Sequence, residues 1–179
     1  MEKNTTKILV GTGVFASLSF VVSFLEFPIF PAVPFLQLDF SLVFILLAGF
    51  AFGFFSGVGA CLAKELLRYI IGSGTGGIGE IANAVITIAF IIVPTLIYQK
   101  KKRFSWVLIG LAIGTFLEIF FALLANRFIN FPLFMGASAK EIFYSVWWYI
   151  ALFNLIKCVA VSLITILIYK RISILIKKI

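Results

Sequence analysis

Apolar residues fall in six runs, at about 8–27, 41–56, 57–71, 81–98, 105–126 and 147–169, with polar residues gathered between them. A helix that crosses a bilayer takes roughly 20 apolar residues. Six such runs with short connections fill the 179 residues and leave no room for a soluble module. The pattern predicts an all-α membrane protein: six transmembrane helices in one compact bundle, forming a single domain over 1–179. The second and third runs are short and meet at Gly53-Phe54-Phe55-Ser56-Gly57, where glycine permits a tight reversal. Pro28, Pro31 and Pro34 punctuate the first connection, and Gly72, Gly74, Gly76, Gly77 and Gly79 the third. The first run has no small-residue cleavage site and is followed by Glu26-Phe27-Pro28, so it is read as a retained helix, not a signal peptide.

Composition supports a lipid-facing surface. The chain is 63% hydrophobic and 12% charged, against about 25% charged residues in soluble domains. A net charge of +8 raises nucleic acid as a partner, but the bases lie mostly between and after the apolar runs, which makes them topological. With both termini cytoplasmic, Lys3, Lys7, Lys100, Lys101, Lys102, Arg103, Lys170, Arg171, Lys177 and Lys178 all fall inside. Arg127 and Lys140 are then the only bases in the outer connections, and Trp147, Trp148 and Tyr149 sit at the outer interface. Cys61 and Cys158 lie in apolar runs without metal-ligand spacing and read as small buried residues. The absence of histidine removes the commonest general base and metal ligand.

On this topology the remaining polar groups crowd the outer half of the bundle. Glu26, Gln37 and Asp39 flank the first outer connection; Lys64, Glu65 and Arg68 lie in the third helix; Glu80 and Asn83 open the fourth. Asn126 and Arg127 close the fifth, and Asn154 and Lys157 share one face of the sixth. Charges within a span cost a few kcal/mol and usually face a cavity or one another. The arrangement predicts an outward-opening pocket for a polar, neutral or mildly anionic small molecule. Blander readings stand beside it. Glu65 and Arg68, three apart, suit a structural ion pair, and Asn83 and Asn126 suit interhelical hydrogen bonding. Lys157 has no acid at helical spacing, and Glu118 sits mid-span without a sequence-local partner. The glycine-rich run is not a phosphate loop, since no Gly-Lys-Ser/Thr follows it. In the first helix, Thr12 with Ala16 and Gly13 with Ser17 form small-residue pairs four apart, fitting either internal packing or docking of a partner membrane protein.

Several stretches resemble the riboflavin-type S components (RibU family) of energy-coupling factor (ECF) transporters. The first is Glu26-Phe27-Pro28-Ile29-Phe30-Pro31, continued from Pro34 to Ser41. Lys64–Ser73, Gly76–Pro94, Phe153–Lys157 and Asn126 ahead of Pro132 agree in order and spacing, so the resemblance covers nearly the whole chain. It implies capture of a vitamin, most simply riboflavin or its phosphate FMN, in a pocket near the outer face. It implies two kinds of partner, a transmembrane coupling protein and two cytoplasmic ATPases, in a bacterial plasma membrane. No cofactor and no catalysis are implied; the flavin is cargo. Carried over residue by residue, the ligand contacts fall on Asn126, Asn154 and Lys157, whose amides and ammonium suit the acceptors and imide of an isoalloxazine edge. Leu36, Leu38, Asp39 and Lys64 on one side and Gly79, Glu80 and Asn83 on the other would enclose the rest, with Phe35 as further apolar contact. Thr12, Gly13, Ala16 and Ser17 would meet the coupling protein. The sequence departs from the family's pattern at Gln37, Leu42, Glu65 and Glu80, where Lys, Asp, Asn and Gln are expected. These departures leave S components for pantothenate, pyridoxine or hydroxymethylpyrimidine as alternatives.

Two other classes fit less well. A self-sufficient secondary transporter favours an inverted repeat and polar groups through both halves of the bundle. A membrane enzyme needs a nucleophile with a base, or a metal cluster. Neither pattern is visible in the sequence.

Overall fold

The computed structural model describes residues 2–101 and 103–176, with side chains for 5–101 and 103–168. Of the bases used above for orientation, Lys102, Lys177 and Lys178 lie outside the described residues, and Lys3, Lys170 and Arg171 outside the described side chains.

The architecture is all-α apart from one short hairpin. α1 (Glu2–Val22) leads into strand β1 (Phe27–Pro28), which pairs antiparallel with β2 (Gln37–Leu38), Phe27 opposite Leu38. There follow α2 (Ser41–Phe52), α3 (Phe54–Gly72), α4 (Ile78–Lys100) and α5 (Phe104–Ala125). A π-helical turn (Asn126–Asn130), the short α6 (Phe131–Met135) and a 3-10 turn (Gly136–Ser138) lead to α7 (Ala139–Ile176). α7 begins eight residues before the apolar run that announces it, because its first two turns (Lys140, Glu141, Tyr144) are polar and partly exposed.

Three stretches are long and apolar enough to cross a membrane by length and composition: Thr5–Val22, Ile78–Lys100, and Phe104–Ile168, which runs through α5 and α7. α3 carries Lys64, Glu65 and Arg68 and falls outside that description for a chemical reason. α2 has only 12 residues, about 18 Å of helix. It is apolar on every side because it is sheathed by protein: all of its residues from Ser41 to Phe50 except Phe44 are buried.

Small residues set the closest approaches. Gly53, at φ 105, makes the reversal between α2 and α3 with no intervening loop. It lies earlier than the 56/57 boundary expected from the apolar runs. Gly110 and Gly114 bring α5 onto the backbone of α4: a Cβ at Gly110 would lie 2.8 Å from the Pro94 Cα, and one at Gly114 would strike the Phe90 carbonyl. This Gly-x-x-x-Gly spacing lets the two backbones meet. One core cluster gathers Leu42, Leu46, Phe90, Ile91 and Val161; a second gathers Val33, Leu38, Ile86, Phe131, Ile150 and Phe153.

Candidate functional site

A cavity of about 680 Å³ opens between the hairpin loop, α3, α4, the π-turn and α7. The sequence-predicted Leu36, Asp39, Lys64 and Gly79 line it, as do Glu80, Asn83, Asn126, Asn154 and Lys157. Leu38 does not. It is 5% exposed and packs into the second core cluster, because alternation along β2 turns Gln37 toward the cavity and Leu38 away from it. All four positions expected to depart from the family pattern, Gln37, Leu42, Glu65 and Glu80, are on the lining.

The two buried asparagines are held alike. Asn126 Nδ2 donates to the Ala122 carbonyl and Asn154 Nδ2 to the Ile150 carbonyl, each at 2.8 Å and one helical turn back. Each nitrogen keeps a second hydrogen for a ligand. Asn130, missed by sequence reasoning, donates to Asn126 Oδ1 at 3.2 Å, and its own buried Oδ1 has no protein partner. The signal for it was its place four residues after Asn126 on the same face.

The ion pairs differ from those expected. Glu65 does not pair with Arg68. Lys64 Nζ lies 2.7 Å from Glu65 Oε1, with both side chains buried in the cavity wall. Arg68 instead reaches back to the first connection, donating to the Ser23 carbonyl at 2.9 Å and to both Glu26 oxygens at 3.2 Å. Its guanidinium also sits 5.4 Å from the Phe24 ring centroid. Lys157 finds its acid across the bundle: Glu118 Oε1 of α5 is 3.2 Å from Nζ, and Cys158 Sγ donates to the other oxygen at 2.9 Å.

The glycine-rich turn is a built structure. Ser73 Oγ accepts from the Thr75 and Gly77 N–H groups at 3.1 and 2.9 Å, and Thr75 Oγ1 accepts from the Gly79 N–H at 3.0 Å. Both hydroxyls donate to Glu80 Oε2, at 2.8 and 2.7 Å. Asp39 Oδ1 accepts from the Ser41 N–H at 2.6 Å and fixes the start of α2.

The structure divides the four small residues of α1. Ala16 is 4% exposed and packs on Ala48 and Ala60, and Thr12 approaches Gly59 of α3, so these two face the bundle, not a partner. Gly13 and Ser17 face outward, beside the exposed Val10, Val14 and Val21.

Comparison with known proteins places this geometry. The family model for the substrate-specific component of ECF transporters matches residues 7–169. The riboflavin transporter RibU of Staphylococcus aureus (strain TCH60) is 32% identical over all of this chain and 96% of its own length. The riboflavin transporter FmnP of Bacillus subtilis (strain 168) is 31% identical over 61% of this chain and 58% of its own. A solved S component of a bacterial ECF transporter superposes at a TM-score of 0.84 with 32% identity, covering 97% of this chain and 99% of that one. ThiT from Listeria monocytogenes shares the fold at a TM-score of 0.58 and 21% identity, covering 97% and 95%. With its apolar helices and a family match over nearly all of its length, this chain belongs to the substrate-specific components of ECF transporters.

Proposed function

We propose that this protein is the riboflavin-capturing subunit of an ECF importer in a bacterial plasma membrane. One observation carries the reading: Asn126, Asn154 and Lys157, drawn from the π-turn and from α7, meet in one cavity large enough for a tricyclic ring. Two amides and an ammonium match the carbonyls and imide of an isoalloxazine edge, and Phe35 and Leu36 offer it apolar surface from the hairpin loop. The similarity to RibU and FmnP supports the same ligand.

In this reading α1 to α5 and α7 cross the membrane and both termini are cytoplasmic, supported by Lys7 in α1, by Lys100 at the end of α4 and by Lys101 and Arg103 between α4 and α5. The chain hydrolyses nothing. A coupling protein docks on the outward face of α1, at Gly13 and Ser17, and two ATPases supply the energy. Flavin fluorescence quenching on the purified protein tests the ligand. Saturable, one-to-one quenching by riboflavin supports the proposal; a folded protein that quenches none sinks it and moves the search to pantothenate, pyridoxine and hydroxymethylpyrimidine.

A further inference from the structure

The cations of the cavity wall each hold a carboxylate: Lys64 holds Glu65, Arg68 holds Glu26, and Lys157 holds Glu118. Arg127, in the π-turn after α5, is half-buried and holds none. Among the described residues its guanidinium enters no ion pair and donates no hydrogen bond. Glu141, at the start of α7, is exposed and does not pair with it. Arg127 is flanked by aromatic rings instead. Its guanidinium carbon lies 5.4 Å from the centroid of Phe128, 5.8 Å from that of Tyr144 and 5.9 Å from that of Phe143. The rings attract the charge and hold it in place. They leave unfilled a planar fork of five N–H donors that stays protonated at any working pH.

The cavity is not the partner of that fork. Asn126 and Asn130 of the same turn line the cavity, whereas Arg127 and Phe128 do not. Phe128 and Tyr144 are exposed, and so are Trp147 and Trp148 one turn further along α7. In a bilayer this aromatic surface lies against lipid, and such rings collect at headgroup level. A cation at that level, bedded in apolar rings and without an acid of its own, is complementary to a phosphate that carries net negative charge. The phosphate of a zwitterionic lipid is already balanced within its own headgroup.

We propose that Arg127 is the docking point for the phosphate of an anionic phospholipid of the phosphatidylglycerol kind. The guanidinium fork takes two phosphate oxygens, and Phe128, Tyr144 and Trp148 lie against the lipid below the headgroup. The lipid then sits on the outside of the turn whose inner side carries Asn126 and Asn130 to the cavity. The inference rests on the membrane reading above and not on the identity of the transported ligand.

The test uses the chain's own fluorescence. Of its three tryptophans, Trp106→Phe leaves Trp147 and Trp148, both near this site in α7. The full chain with that change is placed in phosphatidylcholine bilayers, with brominated phosphatidylglycerol or brominated phosphatidylcholine added in increasing amounts. Tryptophan quenching then gives the relative affinity of the two lipids at these rings. The anionic lipid is expected to bind at least about threefold more tightly, as one base near an anionic headgroup allows. Arg127→Gln should bring the ratio to about one, and Arg127→Lys should keep only part of it, because an ammonium retains the charge but not the fork. NaCl at about 0.5 M should lower the wild-type ratio. Soluble glycerol phosphate should leave it unchanged, having no chains to bed on the rings. A wild-type ratio of about one overturns the inference. So does a preference that survives Arg127→Gln, which would belong to other bases of the chain, and so does displacement of the lipid by glycerol phosphate. Should Arg127→Gln fail to fold, Arg127→Lys takes its place, and an undiminished ratio there overturns the inference.

Discussion

Glu118 Oε1 of α5 lies 3.2 Å from Lys157 Nζ of α7, and Glu118 is wholly buried while Lys157 reaches the cavity. The pair puts one end of a charge couple at the cavity wall and hides the other in the bundle. Removing one partner of such a pair leaves an uncompensated buried charge, at a cost of about 3–5 kcal/mol. Lys157→Met should therefore lower both thermal stability and riboflavin affinity. Adding Glu118→Gln removes the stranded carboxylate and should restore most of the stability without restoring binding. Thermal unfolding beside a flavin titration separates the two effects. Recovery of both in the double variant would show that Lys157 is structural only.

Asn154→Ala is expected to weaken riboflavin binding, since it removes the donor that the flavin reading places at a ring-edge acceptor. An unmet buried polar group costs about 1–3 kcal/mol, or roughly 10- to 100-fold in affinity. The same substitution at Asn130 should cost less, because in the flavin reading Asn130 acts by holding Asn126 Oδ1 and not on the ring edge itself. Titration calorimetry of the two variants ranks them; an equal loss would argue that Asn130 binds ligand directly.

Arg68 fastens the first connection over the cavity through Ser23, Glu26 and Phe24. The pair with Glu26 is partly exposed, and such pairs are worth about 0.2–1 kcal/mol. Arg68→Ala should raise the ligand off-rate about threefold and expose residues 23–40 to protease, with little change in unfolding temperature. Stopped-flow release of flavin measures it. An unchanged off-rate would mean that the connection does not limit escape.

Gly13 and Ala16 test the two faces of α1. A Cβ at Gly13 meets nothing within 4 Å, so Gly13→Trp should leave folding and riboflavin binding intact while abolishing uptake in cells that hold the coupling protein and ATPases. Ala16→Trp should instead unfold the bundle, because it drives a ring between Ala48 and Ala60. Normal uptake with Gly13→Trp would remove this face from the docking proposal.

Most of the fold was legible because hydrophobic run length is a strong local signal, and nine of the ten expected ligand residues do line the cavity. What failed was local reasoning about partners. Helical spacing suggested Glu65 with Arg68, but the connection after α1 brings Glu26 to Arg68, and Lys64 folds onto its neighbour instead. The inward turn of Leu38 is not legible in the sequence because a two-residue strand gives no alternation to read. Thr12 and Ala16 were grouped with Gly13 and Ser17 because small residues look alike in sequence, whichever way a helix turns them. Asn130 is not legible as a site residue because it lies beyond the fifth apolar run, where the chain continues as a π-turn into α6.

The contact of α5 with α4 through Gly110 and Gly114 has a mechanical consequence. Where backbone meets backbone, no side chain stands between the helices to swing aside or repack. The two helices are therefore expected to move together, and hydrogen exchange should be slow on either side of the Pro94 contact. Any breathing that admits a ligand is then borne away from that line, at the short β1–β2 hairpin and the connection that Arg68 ties to α3.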